Sequence, residues 1–264
     1  MTGARFAVLG AGSILPRAGY GSSGYALLPG HGEPWVLFDC GPGTLRALGA
    51  LHLGVEDVGA VVLSHYHPDH CLDLAALLFA RRNPELRRKP PLEVIGPAGL
   101  LDLRAGLGTA FGRWVEEPSV TWREFAVDAG GRWSGALALG GCTLALAAAA
   151  NGHTPNAVSW RVSLPSGFEL GYTGDSGEVA AVAELCRDVD LFVAECAFPA
   201  GQEAEHHLTP HSAARLALAA RAKSLLLTHF YPAVDPAEAV AQARALGAPA
   251  FAAHDGLCVS LVAR

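Results

Sequence analysis

The chain has 264 residues, of which 51% are hydrophobic and 17% charged, and a formal net charge of −6. There is apolar material for a continuous core, which excludes disorder of the charged, low-hydropathy kind. The negative balance argues against broad attraction to nucleic acid, which relies on many Lys and Arg contacts with phosphate. No apolar run approaches the ~20 residues that span a bilayer. Met1 to Gly10 carries one basic residue and lacks the parts of a signal peptide, so a cytoplasmic protein with no membrane span is expected.

The first forty residues read as strands and turns: Phe6 to Leu9, a glycine-rich loop from Gly10 to Gly24, then Tyr25 to Leu28 and Trp35 to Phe38. The loop lacks the GxGxxG and GxxxxGK[ST] spacings of phosphate cradles and is expected beside the functional edge. Thr44 to Leu53 has helical spacing, Ala60 to Leu63 is a buried strand, Leu72 to Ala80 a helix, Leu92 to Ile95 a strand and Ala98 to Leu107 a helix. Gly106 to Pro118, with Phe111 and Trp114, reads either as a hydrophobic lid or as a packing loop. From Val120 to Leu146, β-rich runs separated by Gly130-Gly131 and Gly140-Gly141 suggest antiparallel pairing.

A second pass follows. Ala157 to Leu164 and Phe168 to Tyr172 read as strands, Gly177 to Cys186 as a helix, Leu191 to Ala194 as a strand, Thr209 to Arg221 as a helix, Leu225 to Thr228 as a strand and Pro236 to Leu246 as a helix, with Asp255-Gly256 expected to turn a final hairpin. With no low-complexity linker, residues 1–264 read as one domain of two similar halves, sheets inside and helices outside. The six cysteines show no CxxC spacing, and most are expected as reduced core residues.

The chemistry concentrates after the strand Ala60 to Leu63, where His65-Tyr66-His67-Pro68-Asp69-His70 presents three imidazoles and a carboxylate. Imidazole nitrogen with carboxylate oxygen suits zinc and its neighbours. Alternation along extended backbone puts His65 and His67 on one side, and a turn at Pro68 lets Asp69 and His70 face another. Two adjacent metals follow from that division. The competing reading, polar residues on a loop, leaves three histidines in six positions unexplained.

This His-x-His-x-Asp-His pattern resembles the signature of the metallo-β-lactamase superfamily, which implies an α+β fold, a four-layered αβ/βα sandwich with two divalent metal ions at one edge. The resemblance implies three further ligands. His153 would join His65 and His67 on the first metal, Asp175 would bridge the metals, and His229 would join Asp69 and His70 on the second. Zinc is the default ion, with Mn2+ or Fe2+ as alternatives.

Phe38-Asp39-Cys40-Gly41-Pro42-Gly43-Thr44, Tyr172-Thr173-Gly174-Asp175-Ser176, Ala194-Glu195-Cys196-Ala197-Phe198 and His207-Leu208-Thr209 resemble the ribonuclease Z-like branch. That resemblance implies a phosphodiesterase in which His207 is general acid or phosphate contact and Glu195 orients it, with Asp69 also in the catalytic set. The alternatives are that Glu195 caps a helix or pairs on the surface, and that His206 or His211 is the relevant imidazole.

Only twenty-one residues separate His153 from Asp175, where tRNA-processing members of the branch usually carry a tRNA-gripping arm. A small phosphodiester such as a cyclic nucleotide is therefore favoured over RNA. Arg81, Arg82, Arg87, Arg88 and Lys89 form a basic cluster that either meets phosphates or is a solvated face. Lactone, thioester or β-lactam hydrolysis is the rival reaction, and a non-catalytic ligand-binding member the rival of another class. A redox di-iron site is disfavoured, since that branch usually has a carboxylate where this chain has His67. A homodimer is compatible with the resemblance, although no segment marks an interface.

Overall fold

The computed structural model describes residues 3–30, 32–86, 89–202 and 205–262. The first sheet takes β1 (Ala4–Gly10), β2 (Gly24–Leu28), β3 (Trp35–Cys40), β4 (Val58–Val62), β5 (Leu92–Pro97) and β6 (Val120–Phe125) in chain order. The second takes β7 (Arg132–Leu139), β8 (Cys142–Ala150), β9 (Val158–Ser163), β10 (Glu169–Tyr172), β11 (Leu191–Glu195), β12 (Leu225–Thr228) and β13 (Ala250–Ala252), again as consecutive neighbours. Finally β14 (Cys258–Leu261) returns to the first sheet beside β1, giving seven strands in each.

Period-two burial makes the layers. Phe6 and Val8 of β1, Val36 and Phe38 of β3, and Leu191 and Val193 of β11 share a core between the two sheets. Their alternates in the first sheet, Ala7, Leu9 and Leu37, pack with Leu48, Leu74, Leu77, Leu100 and Leu107. These come from helices α1 (Thr44–Ala50), α3 (Asp73–Arg81) and α4 (Leu100–Phe111), while α2 (Pro68–Cys71) is a single turn before α3. On the other side Phe192, Ala194, Leu225 and Leu227 pack against α5 (Ala180–Leu185), α6 (Pro210–Ala219) and α7 (Pro236–Ala245). Helix, sheet, sheet, helix is the four-layered sandwich expected.

Two expectations are corrected. Asp255-Gly256 turns no hairpin, because β13 pairs in parallel with β12 while β14 pairs with β1 in the other sheet. The Asp255 carboxylate instead accepts the N–H groups of Ala11, at 3.0 Å, and Gly21, at 2.8 Å, and so ties down the Gly10–Gly24 loop. Gly130-Gly131 likewise carries the chain between sheets, whereas Gly140-Gly141 does turn the β7–β8 hairpin. Of the two readings of Gly106–Pro118, the structure has the segment packed and not over the edge cluster: it is the end of α4, one 3-10 turn at Gly112–Trp114 and a short link that reaches the start of β5, where Leu92 N donates to Ser119 O, and Trp114 meets Phe79 of α3 edge-on.

Within the basic cluster Arg81 differs from a solvated face, while Arg82 is exposed. Arg81 is fully buried; it donates to the carbonyls of Val58 and Pro90 and lies 3.6 Å from Glu117, which Lys89 also approaches at 3.3 Å. Arg82 donates to Glu116 O, and Arg87 and Arg88 lie outside the described residues. Removing the guanidinium leaves two buried carbonyls without their donor and takes one of two cations from Glu117, so Arg81→Met is expected to cost about 3 kcal/mol in a denaturant titration. Four cysteines, Cys40, Cys71, Cys186 and Cys196, are buried free thiols.

Candidate metal centre

The strands β3 to β6 run parallel, as do β10 to β13, so their carboxyl ends gather loops at one edge of the sandwich. His65 follows β4, Asp175 follows β10, Glu195 ends β11 and His229 follows β12. The two sheets meet there through Val158 N, which donates to Ser64 O at 3.0 Å. Gly174 has φ 59°, and a Cβ on it would stand 2.6 Å from the Cβ of Ser64, so glycine is required for Asp175 to arrive beside His65.

Two groups of side chains converge. His65, His67, His153 and Asp175 form one; Asp69, His70 and His229 form the other; within each group every residue has a ligand-type atom within 4.8 Å of the rest. Asp175 stands between them. Its Oδ1 lies 3.1 Å from His70 Nε2 and 3.3 Å from His229 Nε2, while Oδ2 lies 3.8 Å from His153 Nε2 and 3.9 Å from His65 Nε2. Yet Asp175 Oδ1 and the Nε2 atoms of His65, His70 and His229 are buried without an aligned hydrogen bond. Stranding so many polar atoms costs a great deal unless a cation completes them, and imidazole with carboxylate fits a divalent first-row ion.

Proton positions agree with that. A carboxylate or carbonyl only accepts, so Nδ1 carries the proton in His70, 2.7 Å from Asp39 Oδ2, and in His153, 2.9 Å from the carbonyl of His206. Ser64 Oγ donates to Asp39 Oδ2 and therefore accepts from His65 Nδ1 at 3.0 Å. The Nε2 lone pairs are left facing Asp175, the outer-partner arrangement usual for metal-binding imidazoles. Burial holds the pKa of His65 well below the ordinary imidazole value and also lowers that of His153. Burial opposes charge on His70 as well, but the Asp175 and Asp39 carboxylates outweigh it and raise its pKa well above the ordinary value. For Asp175 burial is outweighed by the imidazoles of His229 and His70, which hold its carboxyl well below the usual range.

His207 completes a third group with Asp175 and Glu195. Glu195 is buried, not on the surface: its Oε1 accepts from Ser176 N at 2.7 Å and from His207 Nδ1 at 3.0 Å. Burial counts against a charged His207, but Glu195 outweighs it and raises the imidazole pKa. His206 is more than half exposed and is tied by Nδ1 to the carbonyl of Gly152, and neither it nor His211 joins this group.

Several site residues had no role assigned from sequence. Asp39, at φ 55° on the end of β3, accepts from Ser64 N, Ser64 Oγ, His70 Nδ1 and, at 2.5 Å, Tyr172 OH. A carboxylate inside the otherwise apolar run Trp35 to Cys40 was the available signal. Asn151 donates to the carbonyls of Thr173 and Asp175 and accepts from His153 N, joining the two ligand loops. Ser23, from the glycine-rich loop, lies 2.9 Å from His229 Nδ1. Asp39→Asn turns an amide toward these donors, and metal affinity by chelator competition is expected to fall about 10- to 100-fold.

A family model described as a β-lactamase superfamily domain matches residues 34–230, more than half of the chain. An uncharacterized protein of Mycobacterium tuberculosis is 31% identical over 245 residues, covering 91% of this chain and 86% of that protein. The crystal structure of human tRNase Z, short form, superposes with a TM-score of 0.78 at 26% identity over 98% of this chain and 100% of that one. For the metallo-β-lactamase fold protein YhfI of Bacillus subtilis the TM-score is 0.80 at 24% identity, over 97% of this chain and 99% of that one, a likeness of fold. With the four-layered sandwich and its edge cluster, these matches place the chain in the β-lactamase superfamily, among proteins of metallo-β-lactamase fold that include ribonuclease Z.

Proposed function

We propose that the protein is a dinuclear metal-dependent hydrolase, a phosphodiesterase acting on a small phosphodiester or a nucleotide- or RNA-type substrate. The observation that supports this most is the division of the Asp175 oxygens between the two imidazole groups, which suits a carboxylate shared by two ions. His65, His67 and His153 would hold one ion and Asp69, His70 and His229 the other, zinc by default and Mn2+ or Fe2+ as alternatives. Such ions supply Lewis-acid polarisation of a phosphoryl oxygen and acidify water at neutral pH.

The chain's own groups supply the rest. His207, with Nδ1 committed to Glu195, holds a second proton at Nε2 and delivers it to the leaving oxygen. Asp39, Ser64, Ser23 and the carbonyl of His206 fix the ring planes of the ligand histidines, so little reorganisation is needed during reaction. His67 is exposed, and the substrate enters from its side. Residues 154–174 fold into β9, β10 and the short turn between them, leaving no room for an RNA-gripping arm and supporting a small substrate. No described helix is long and apolar enough to cross a membrane.

A panel separates this from the carbonyl reading. Metal-loaded protein is expected to open cyclic nucleotides and cleave bis(p-nitrophenyl) phosphate while leaving lactones, thioesters and nitrocefin nearly untouched. Turnover of the carbonyl substrates alone would overturn it.

A further inference from the structure

Two aromatic residues beside the centre have no part in holding it. Phe198 stands three residues past Glu195, and Tyr231 two residues past His229, both half-exposed. Their rings stack, with centroids 5.4 Å apart and planes 20° from parallel. Both meet His207 edge-on, at 5.4 Å for Phe198 and 6.3 Å for Tyr231, and Tyr231 also meets His229 edge-on at 5.6 Å.

A stacked pair left half-exposed offers a third flat ring an end of the stack to lie on, and π-faces accept every base alike. Its contact with His207 puts it on the side where a proton reaches the leaving oxygen. We infer that Phe198 and Tyr231 form a base-stacking subsite and that the substrates are nucleotide phosphodiesters, purine and pyrimidine both, an inference that rests on the phosphodiesterase reading. The centre holds the phosphate, the ribose spans the distance past His207, and the base closes the stack. Selectivity for the base is broad, since stacking reads the ring face and not its hydrogen-bonding edge.

The test compares adenosine 2′,3′-cyclic phosphate with methyl riboside 2′,3′-cyclic phosphate, which lacks the base, following ring opening by phosphorus NMR with metal-loaded protein. Wild type is expected to prefer the nucleotide at least about tenfold in kcat/KM, and Tyr231→Leu, which keeps bulk but removes the π-face, to lower that preference about tenfold, with Tyr231→Phe retaining it. Equal use of both esters by wild type, or an undiminished preference in Tyr231→Leu, would overturn the subsite. Phe198→Leu gives the same comparison should Tyr231→Leu fail to fold. If no phosphodiester turns over, the reaction reading fails and binding decides the subsite: AMP is expected to bind about tenfold tighter than ribose 5-phosphate by calorimetry, an advantage that shrinks in Tyr231→Leu, whereas equal affinities would overturn it.

Discussion

Asp175→Ala is expected to lower metal-dependent phosphodiester turnover by at least about a thousandfold and to leave the chain unable to hold a pair of ions. The carboxylate touches both imidazole groups, so its removal takes a candidate ligand from each side at once and leaves His65, His67 and His153 as a group of imidazoles without a carboxylate. In the metal-free chain the substitution acts differently: Asp175 is itself a buried anion, and losing it removes one of the two carboxylates that raise the pKa of His70. The fold is therefore expected to survive while the site fails. Metal content by elemental analysis, circular dichroism and turnover together check this, and a variant that kept its metals and its rate would show that Asp175 is no bridge.

His207→Ala is expected to cost about 10²- to 10⁴-fold in kcat with bound metal unchanged, because a proton donor is lost and no ligand is. Glu195→Gln separates the positioning role from the proton. Burial lowers the pKa of His207, and the Glu195 carboxylate reverses that. A glutamine can still accept from Nδ1 but carries no charge, so the imidazole pKa falls. Activity that needs the protonated ring is present below that pKa and lost as pH rises through it, so the alkaline limb of the kcat profile moves to lower pH in Glu195→Gln. A limb that stays in place while kcat drops would make Glu195 a packing residue.

The clustering of the seven candidate ligands was legible because histidine and aspartate at strand ends have few other reasons to lie together, and the structure brings all seven positions to one edge. Strand boundaries were legible in short apolar runs, as in Leu225–Thr228, which is buried throughout. What sequence did not carry was which strand neighbours which. Asp255-Gly256 has good hairpin chemistry, but the strands on either side enter different sheets. Strand direction was missing too, which left Gly106–Pro118 readable as a lid although it closes the opposite end of β5. Charge at a helix end suggested a solvated face, but Arg81 is buried, with two backbone carbonyls accepting from its guanidinium and the Glu117 carboxylate 3.6 Å away. Asp39 shows the same limit from the other side: a polar residue in an apolar strand signals a partner without naming it, and its partners are three residues, Ser64, His70 and Tyr172, the last more than 130 positions away.

The most direct test of the central claim is a metal titration. Chelator-stripped wild-type protein is given increasing zinc or manganese, bound metal is counted, and cleavage of bis(p-nitrophenyl) phosphate is followed at each step. A dinuclear phosphodiesterase predicts activity that rises with loading and levels off at about two ions per chain. A fully loaded chain that leaves the phosphodiester intact, or one that reaches its plateau with a single ion, would contradict it.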